Sequence, residues 1–143
     1  MSHNDPQETL VELRVPARPD RLKLIRGCVS DAGDIAGVSR DCVQDLVHAA
    51  DEACQNIIRH GYGDAGAGDI DLAMTRGTDR IVLTLTDTAP PAPDTALAPR
   101  AATHPERGGM GNQVISACID DVALTRGPDG RGNQLTLTKW IPE

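Results

Sequence analysis

Residues 40 to 60 constrain the fold more than any other stretch of this chain. Val43, Leu46, Val47, Ala50, Ala53, Cys54, Ile57 and Ile58 recur there at three- and four-residue spacing. At about 100° per residue they fall on one continuous apolar arc of roughly 140°. A helix with such a face must be covered by a layer it does not itself supply. Ser39 precedes the run, and its hydroxyl can accept a free N–H of the first turn. Gly61 and Gly63 follow it and can take the left-handed conformation that ends a helix. On the polar side, Glu52, Asn56 and His60 stand at i, i+4 and i+8. Each four-residue step rotates only about 40°, so a straight α-helix carries them as one stripe. On periodicity alone this stripe is equally the solvated side of an amphipathic helix. A functional reading needs a second segment aimed at the same place.

The covering layer is legible as strands. Val11, Leu13 and Val15 alternate with Leu10, Glu12 and Arg14, and Pro16 and Pro19 end that run. Pro19 and Asp20 open a first helix carrying Leu22, Leu24, Ile25, Cys28 and Val29, which stops between Gly33 and Gly37. After the second helix, Ile70, Leu72 and Met74 alternate with polar residues. Ile81, Leu83 and Leu85 do the same against Val82, Thr84 and Thr86. The turn Gly77-Thr78-Asp79 joins the two runs as a hairpin. Residues 88 to 108 lack an apolar period and contain five prolines, as expected of a lid. Gly111 or Asn112 is expected to open a short third helix with Val114, Ile115, Ala117 and Cys118. A last hairpin, Val122–Thr125 with Gln134–Trp140, turns at Gly127-Pro128-Asp129-Gly130. The order β-α-α-β-β-lid-α-β-β gives an α+β two-layer sandwich. Its sheet is mixed but mostly antiparallel, with three helices on one face, and not a doubly wound Rossmann sheet.

The chain has 143 residues, one domain's worth, with residues 1–8 expected to be frayed. One Trp, one Tyr and no Phe mean that the core is aliphatic. A net charge of −7 argues against general nucleic-acid binding and against an acidic membrane surface. No apolar run is long enough to span a bilayer, and the N-terminus has neither the basic nor the apolar region of a secretory signal. Cys28, Cys42, Cys54 and Cys118 show no CxxC spacing and read as free thiols in the cytoplasm rather than as a zinc site.

Gly108-Gly109-Met110-Gly111 supplies the second segment. Glycines let backbone N–H groups approach phosphate oxygens, and the following helix N-terminus adds partial positive charge. The same bend also suits a plain hinge between lid and helix. Asn56 offers the neutral oxygen that suits Mg²⁺, and Glu52, one turn earlier, can accept a hydroxyl proton. His60 suits a helix-end cap. Asp87, at a strand end, is either a turn former or an acceptor for the exocyclic amine of a base. Arg100 and Arg107 in the lid are candidates for phosphate contact.

Together these residues resemble the GHKL ATPases, in particular the bacterial anti-sigma-factor serine kinases. The N-box is matched by Glu52-Ala53-x-x-Asn56-x-x-x-His60-x-Tyr62, and the adenine box by Asp87-Thr88-Ala89-Pro90-Pro91. Gly109-Met110-Gly111 matches the second glycine box, and Gly132-Asn133-Gln134-Leu135-Thr136-Leu137 the last strand. The resemblance covers residues 9–140 and implies the Bergerat ATP-binding fold over a single domain, 1–143. It implies that ATP and Mg²⁺ are bound, with Asn56 on the metal, Glu52 as base and Asp87 on the adenine amine. Ala89, Arg107, Gly109, Met110 and Gly111 would complete the nucleotide site. The implied protein partners are a sigma factor and a STAS-type anti-anti-sigma factor, with a homodimer suggested. The adenine box departs from the family, which usually has Gly two residues after the Asp and often Phe beyond it. Here those positions hold Ala89 and Ala92, and a weaker nucleotide grip is the expectation. A non-catalytic, partner-sequestering module is the alternative from another class. A histidine-kinase catalytic domain is the third reading.

Overall fold

The computed structural model describes residues 7–63, 68–90, 109–127 and 130–141, with the backbone alone for 109–112. Five strands form one sheet: β1 (Glu8–Pro16), β2 (Asp69–Arg76), β3 (Arg80–Asp87), β4 (Asp121–Arg126) and β5 (Asn133–Trp140). Three helices lie against it: α1 (Leu22–Ala36), α2 (Arg40–Asn56) and α3 (Gly109–Cys118). The strand order is β1-β2-β3-β5-β4. All four ladders among the described residues are antiparallel, so the sheet is not mixed. β3 and β5 are neighbours because α3 and β4 fill the crossover between them, and β4 becomes an edge strand.

Alternation decides which face meets the helices. Val15, Ile70, Leu72, Met74, Ile81, Leu83, Leu85, Leu135 and Leu137 are buried on one face. The registers set Leu13 against Leu72 against Leu85 against Leu135 in one apolar row, while the row of Val15 and Ile70 ends in Asp87 and Asn133. These rows pack on Ile25, Val29, Leu46, Ala50, Ala53, Cys54, Ile58 and Ile115, which puts all three helices on the same side. The small Ala49, Ala50 and Ala53 bring α2 close to the strands, which suits a core without phenyl rings. Arg76 Nε donates to the carbonyl of Ala36 at 2.9 Å, fixing the end of α1 near β2. Lys139 Nζ donates to the carbonyl of Cys118 at 2.7 Å, fixing the end of α3 over β5. α2 runs between them.

The helix ends follow the sequence with two exceptions. Ser39 Oγ accepts the Cys42 N–H at 3.1 Å, as its position predicts, and Gly37 closes α1 with φ of +79°. A 3-10 turn over Pro19–Arg21 precedes α1. The first exception is the end of α2, which widens into a π turn over Ile57–Gly61, with the Tyr62 N–H reaching the Ile57 carbonyl at 3.0 Å. The second is α3, which begins at Gly109 and takes Gly109-Met110-Gly111 into its first turn. First-turn N–H groups have no intrahelical acceptor in any case, so glycines cost little there. The thiols of Cys42, Cys54 and Cys118 are buried and free, and burial pushes the Cys54 thiol far up.

Two glycines test this frame with opposite signs. Gly132 has φ of +67°, and a Cβ there would collide with the carbonyl of Asp87. Gly132→Ala is expected to lower the urea-unfolding free energy by roughly 2 kcal/mol or more. Gly27 lies on the exposed side of α1, where a Cβ meets nothing within 4 Å. Gly27→Ala is expected to raise the same quantity by about 0.5–1 kcal/mol.

Candidate functional site

Glu52 and Asn56 are half-buried on α2, one turn apart. Which way they face follows from their neighbours. Asp45 lies seven residues before Glu52, a rotation of only about 20° on an α-helix. Its Oδ2 accepts from Lys139 Nζ at 2.9 Å, and the same ammonium holds the last carbonyl of α3. The stripe Asp45, Glu52, Asn56 therefore faces α3. Asp51, one residue round, faces the other way and takes Arg26 of α1 at 2.9 Å.

The shared lysine also fixes the direction of α3. Its C-terminal end sits beside Asp45, near the start of α2, so α3 runs back along α2. Nine steps separate Cys118 from Gly109, a rise of about 13–14 Å. The same rise along α2 from Asp45 ends between Glu52 and Asn56. The first turn of α3, with the backbone of Gly109, Met110 and Gly111, is thus brought to the level of the Glu52–Asn56 pair. A helix N-terminus there offers N–H donors and partial positive charge on the side of that pair.

Asp87 forms the floor. It continues the inward set Ile81, Leu83 and Leu85 to the end of β3 and is 5% exposed. Its Oδ1 accepts the Ala89 N–H at 2.9 Å, an Asx turn, and the Asn133 side-chain amide at 3.0 Å. The Asn133 backbone N–H is a third donor to the carboxylate. Burial pushes this carboxyl above the ordinary value, while the three hydrogen bonds pull it back down. Among the described residues no cation pairs with it.

The segment after Asp87 is clasped from the α2 side as well. The Tyr62 hydroxyl, just beyond the π turn, accepts the Thr88 N–H at 2.7 Å. It also lies 3.0 Å from Thr88 Oγ1 and donates to the Asp69 carbonyl at 3.0 Å. Ala89 is buried, with its Cβ facing Gly61. The alanine that departs from the family pattern is therefore housed by a neighbouring glycine.

The sequence-derived residues divide clearly. Glu52, Asn56, Asp87, Ala89 and the backbone of Gly109, Met110 and Gly111 belong to one end of the helical layer. His60 lies past the end of α2, exposed in the π turn, where a four-residue step falls short of a full turn and leaves it on the side of Glu52 and Asn56. Arg100, Arg107, Ala92 and the lid from residue 91 to 108 lie outside the described residues. Asn133 was placed in the last-strand motif without a role. Its signal was the polar residue at an inward position of a strand otherwise alternating with Leu135 and Leu137. No group of three or more His, Cys, Asp or Glu side chains among the described residues could hold a metal, so a cation here would need oxygens from a ligand.

Comparison with known proteins meets this geometry. Residues 15–139 match the model of the histidine kinase-like ATPase domain. A serine-protein kinase RsbW of Oceanobacillus iheyensis is 27% identical over 141 residues, spanning 93% of this chain and 87% of that protein. The RsbW of Bacillus subtilis is 25% identical over 139 residues, with 92% and 85% covered. Among solved structures, one from the SiaB-SiaC complex of Pseudomonas aeruginosa superposes with a TM-score of 0.65 at 15% identity, covering 94% of this chain and 90% of the other. The likeness in fold and the match over nearly the whole chain agree, and the chain belongs to the histidine kinase-like (GHKL) ATPase family, where it resembles the anti-sigma serine-protein kinases.

Proposed function

We propose that this chain is an ATP- and Mg²⁺-dependent protein serine/threonine kinase that also sequesters a sigma factor. Its substrate would be a hydroxyl on a STAS-type anti-anti-sigma antagonist, whose phosphorylation frees the kinase to recapture sigma in the cytoplasm. The observation that carries the reading is Asp87, a carboxylate buried at the end of β3 with no counter-ion among the described residues. A group so costly to bury, in a cleft, is a candidate for recognition. As an acceptor it suits the exocyclic amine of adenine. The relatives named serine-protein kinase support the activity, and the neighbour solved as a SiaB-SiaC complex supports a fold that docks a second protein.

Each residue has a part in this reading. Asn56 would supply a neutral oxygen to Mg²⁺, an ion that takes few protein ligands. The ion would neutralise charge on the phosphates during transfer. The N–H groups of the first turn of α3 hold the phosphates, with Arg107 from the lid as a further cation. Glu52 orients the attacking hydroxyl and accepts its proton. A bond forms between the hydroxyl oxygen and the γ-phosphorus while the bond from that phosphorus to ADP breaks. A non-catalytic sequestering module is favoured by one observation only, the tight packing of Ala89 where the family usually has glycine.

Three outcomes are expected. ATP with Mg²⁺ raises the melting temperature, and Mg²⁺ alone does not. In radiolabel transfer to a candidate antagonist, wild type labels the substrate, while Glu52→Gln binds nucleotide and loses at least about 100-fold in rate. Nucleotide binding without any transfer by wild type would favour the sequestering module. Asp87→Asn is expected to abolish nucleotide binding yet raise the urea midpoint at neutral pH. The fold holds the Asp87 proton more tightly than the unfolded chain does. Its stabilising contribution is therefore full below the unfolded pKa of about 3.9 and lost as the pH rises through the raised folded value. The advantage of the variant should accordingly shrink as the pH falls towards 4, read by urea titrations across that range.

A further inference from the structure

Asn133 is one of two buried polar residues among those described, and the other is Asp87. They face each other across the β3–β5 ladder, at the ends of both strands. The side-chain amino group of Asn133 spends its two hydrogens on different parts of the same strap. One goes to Asp87 Oδ1 at 3.0 Å and the other to the Pro90 carbonyl at 3.2 Å. The backbone N–H of Asn133 goes to the carboxylate as well. Gly132, at φ of +67°, lets the chain approach the Asp87 carbonyl closely enough for this.

Three donors on one carboxylate have a chemical consequence. An ionised carboxylate offers about four lone-pair sites and no hydrogen. With Ala89 and Asn133 occupying three, roughly one acceptor site remains. These donors favour the ionised, accepting form and so oppose burial, which pushes the carboxyl up. A purine with a 6-amino group meets an acceptor there. A purine with a 6-oxo group meets a second acceptor and is repelled.

We propose that Asn133 is the specificity-determining residue of this site: by donating to Asp87 and Pro90 it keeps the carboxylate an oriented acceptor and so selects 6-amino over 6-oxo purine nucleotides. Asn133 is a positioning residue in this account and touches the base only through Asp87. The inference rests on the nucleotide-binding reading given above.

The test is calorimetric titration of the full chain with ADP and with IDP, both with Mg²⁺, for wild type, Asn133→Asp and Asn133→Leu. Inosine differs from adenosine in the 6-oxo group and the hydrogen it places on N1, so the ratio of the two affinities reports on how the site reads that edge of the base. Wild type is expected to favour ADP at least about tenfold. Asn133→Asp keeps the shape but sets a second carboxyl beside the first. The pair then shares a proton, which can be offered to a 6-oxo group, and the preference should narrow at least about tenfold. Asn133→Leu removes the side-chain donors to Asp87 and Pro90 without adding charge, keeps the backbone N–H, and should narrow the ratio mainly by weakening ADP. It serves as the second variant should the acidic pair impair folding, which the melting curve of each protein reports. Equal losses for ADP and IDP, with the ratio unchanged in a folded variant, would overturn the inference and leave nucleotide binding intact. A wild type that binds neither nucleotide would overturn both readings. A wild type that binds both equally would overturn the inference alone.

Discussion

The contact between α2 and the sheet sets everything else in this molecule. One face of the helix is alanine, leucine, cysteine and isoleucine, and it lies on rows of leucine, isoleucine and methionine from β2, β3 and β5. With no phenyl rings to fill space, the layers close by small residues coming near. That proximity leaves the polar side of α2 as the upper wall of a crevice. α1 and α3 are positioned by α2 in turn, through Arg26 with Asp51 on one flank and Lys139 with Asp45 on the other. Without the central helix, each flank keeps only its contacts with the strands.

The flanking contacts also explain how a small set of polar residues becomes a site. Lys139 is 16% exposed in its side chain and ties together the start of α2, the end of α3 and β5. It lies far from the crevice, yet it decides that α3 points its first turn towards Glu52 and Asn56. Electrostatics at the crevice are then supplied largely by backbone: N–H groups from α3, from Ala89 and from Asn133. Such donors are fixed by the fold and need no rotamer to be ordered when a ligand arrives.

Much of this was legible in the sequence, and the reason is periodicity. Two-residue alternation marks β1, β2 and β3, the turn Gly127-Pro128-Asp129-Gly130 marks the last hairpin, Pro19 opens the first helix, and the apolar arc with the Ser39 cap marks α2. Glu52 and Asn56 stand out by their four-residue spacing on one helix side, and Asp87 by its place at a strand end. What escaped was set by packing and not by period. The π turn over Ile57–Gly61 has no signature in residue type. The start of α3 at Gly109 was hidden because glycine reads as a breaker even where a first turn tolerates it. The Tyr62 and Asn133 hydrogen bonds join segments 26 and 46 residues apart, which no local pattern encodes.

The facing pair Gly61 and Ala89 carries a consequence for how such chains diverge. A methyl group built at residue 61 would stand 3.2 Å from the Ala89 methyl, a contact that the two segments would have to ease by a few tenths of an ångström. The two sites therefore draw on one shared volume, and side chain added at either position is felt at the other. Drift in this corner is constrained as a sum, so that each residue looks permissive alone while their combination is not.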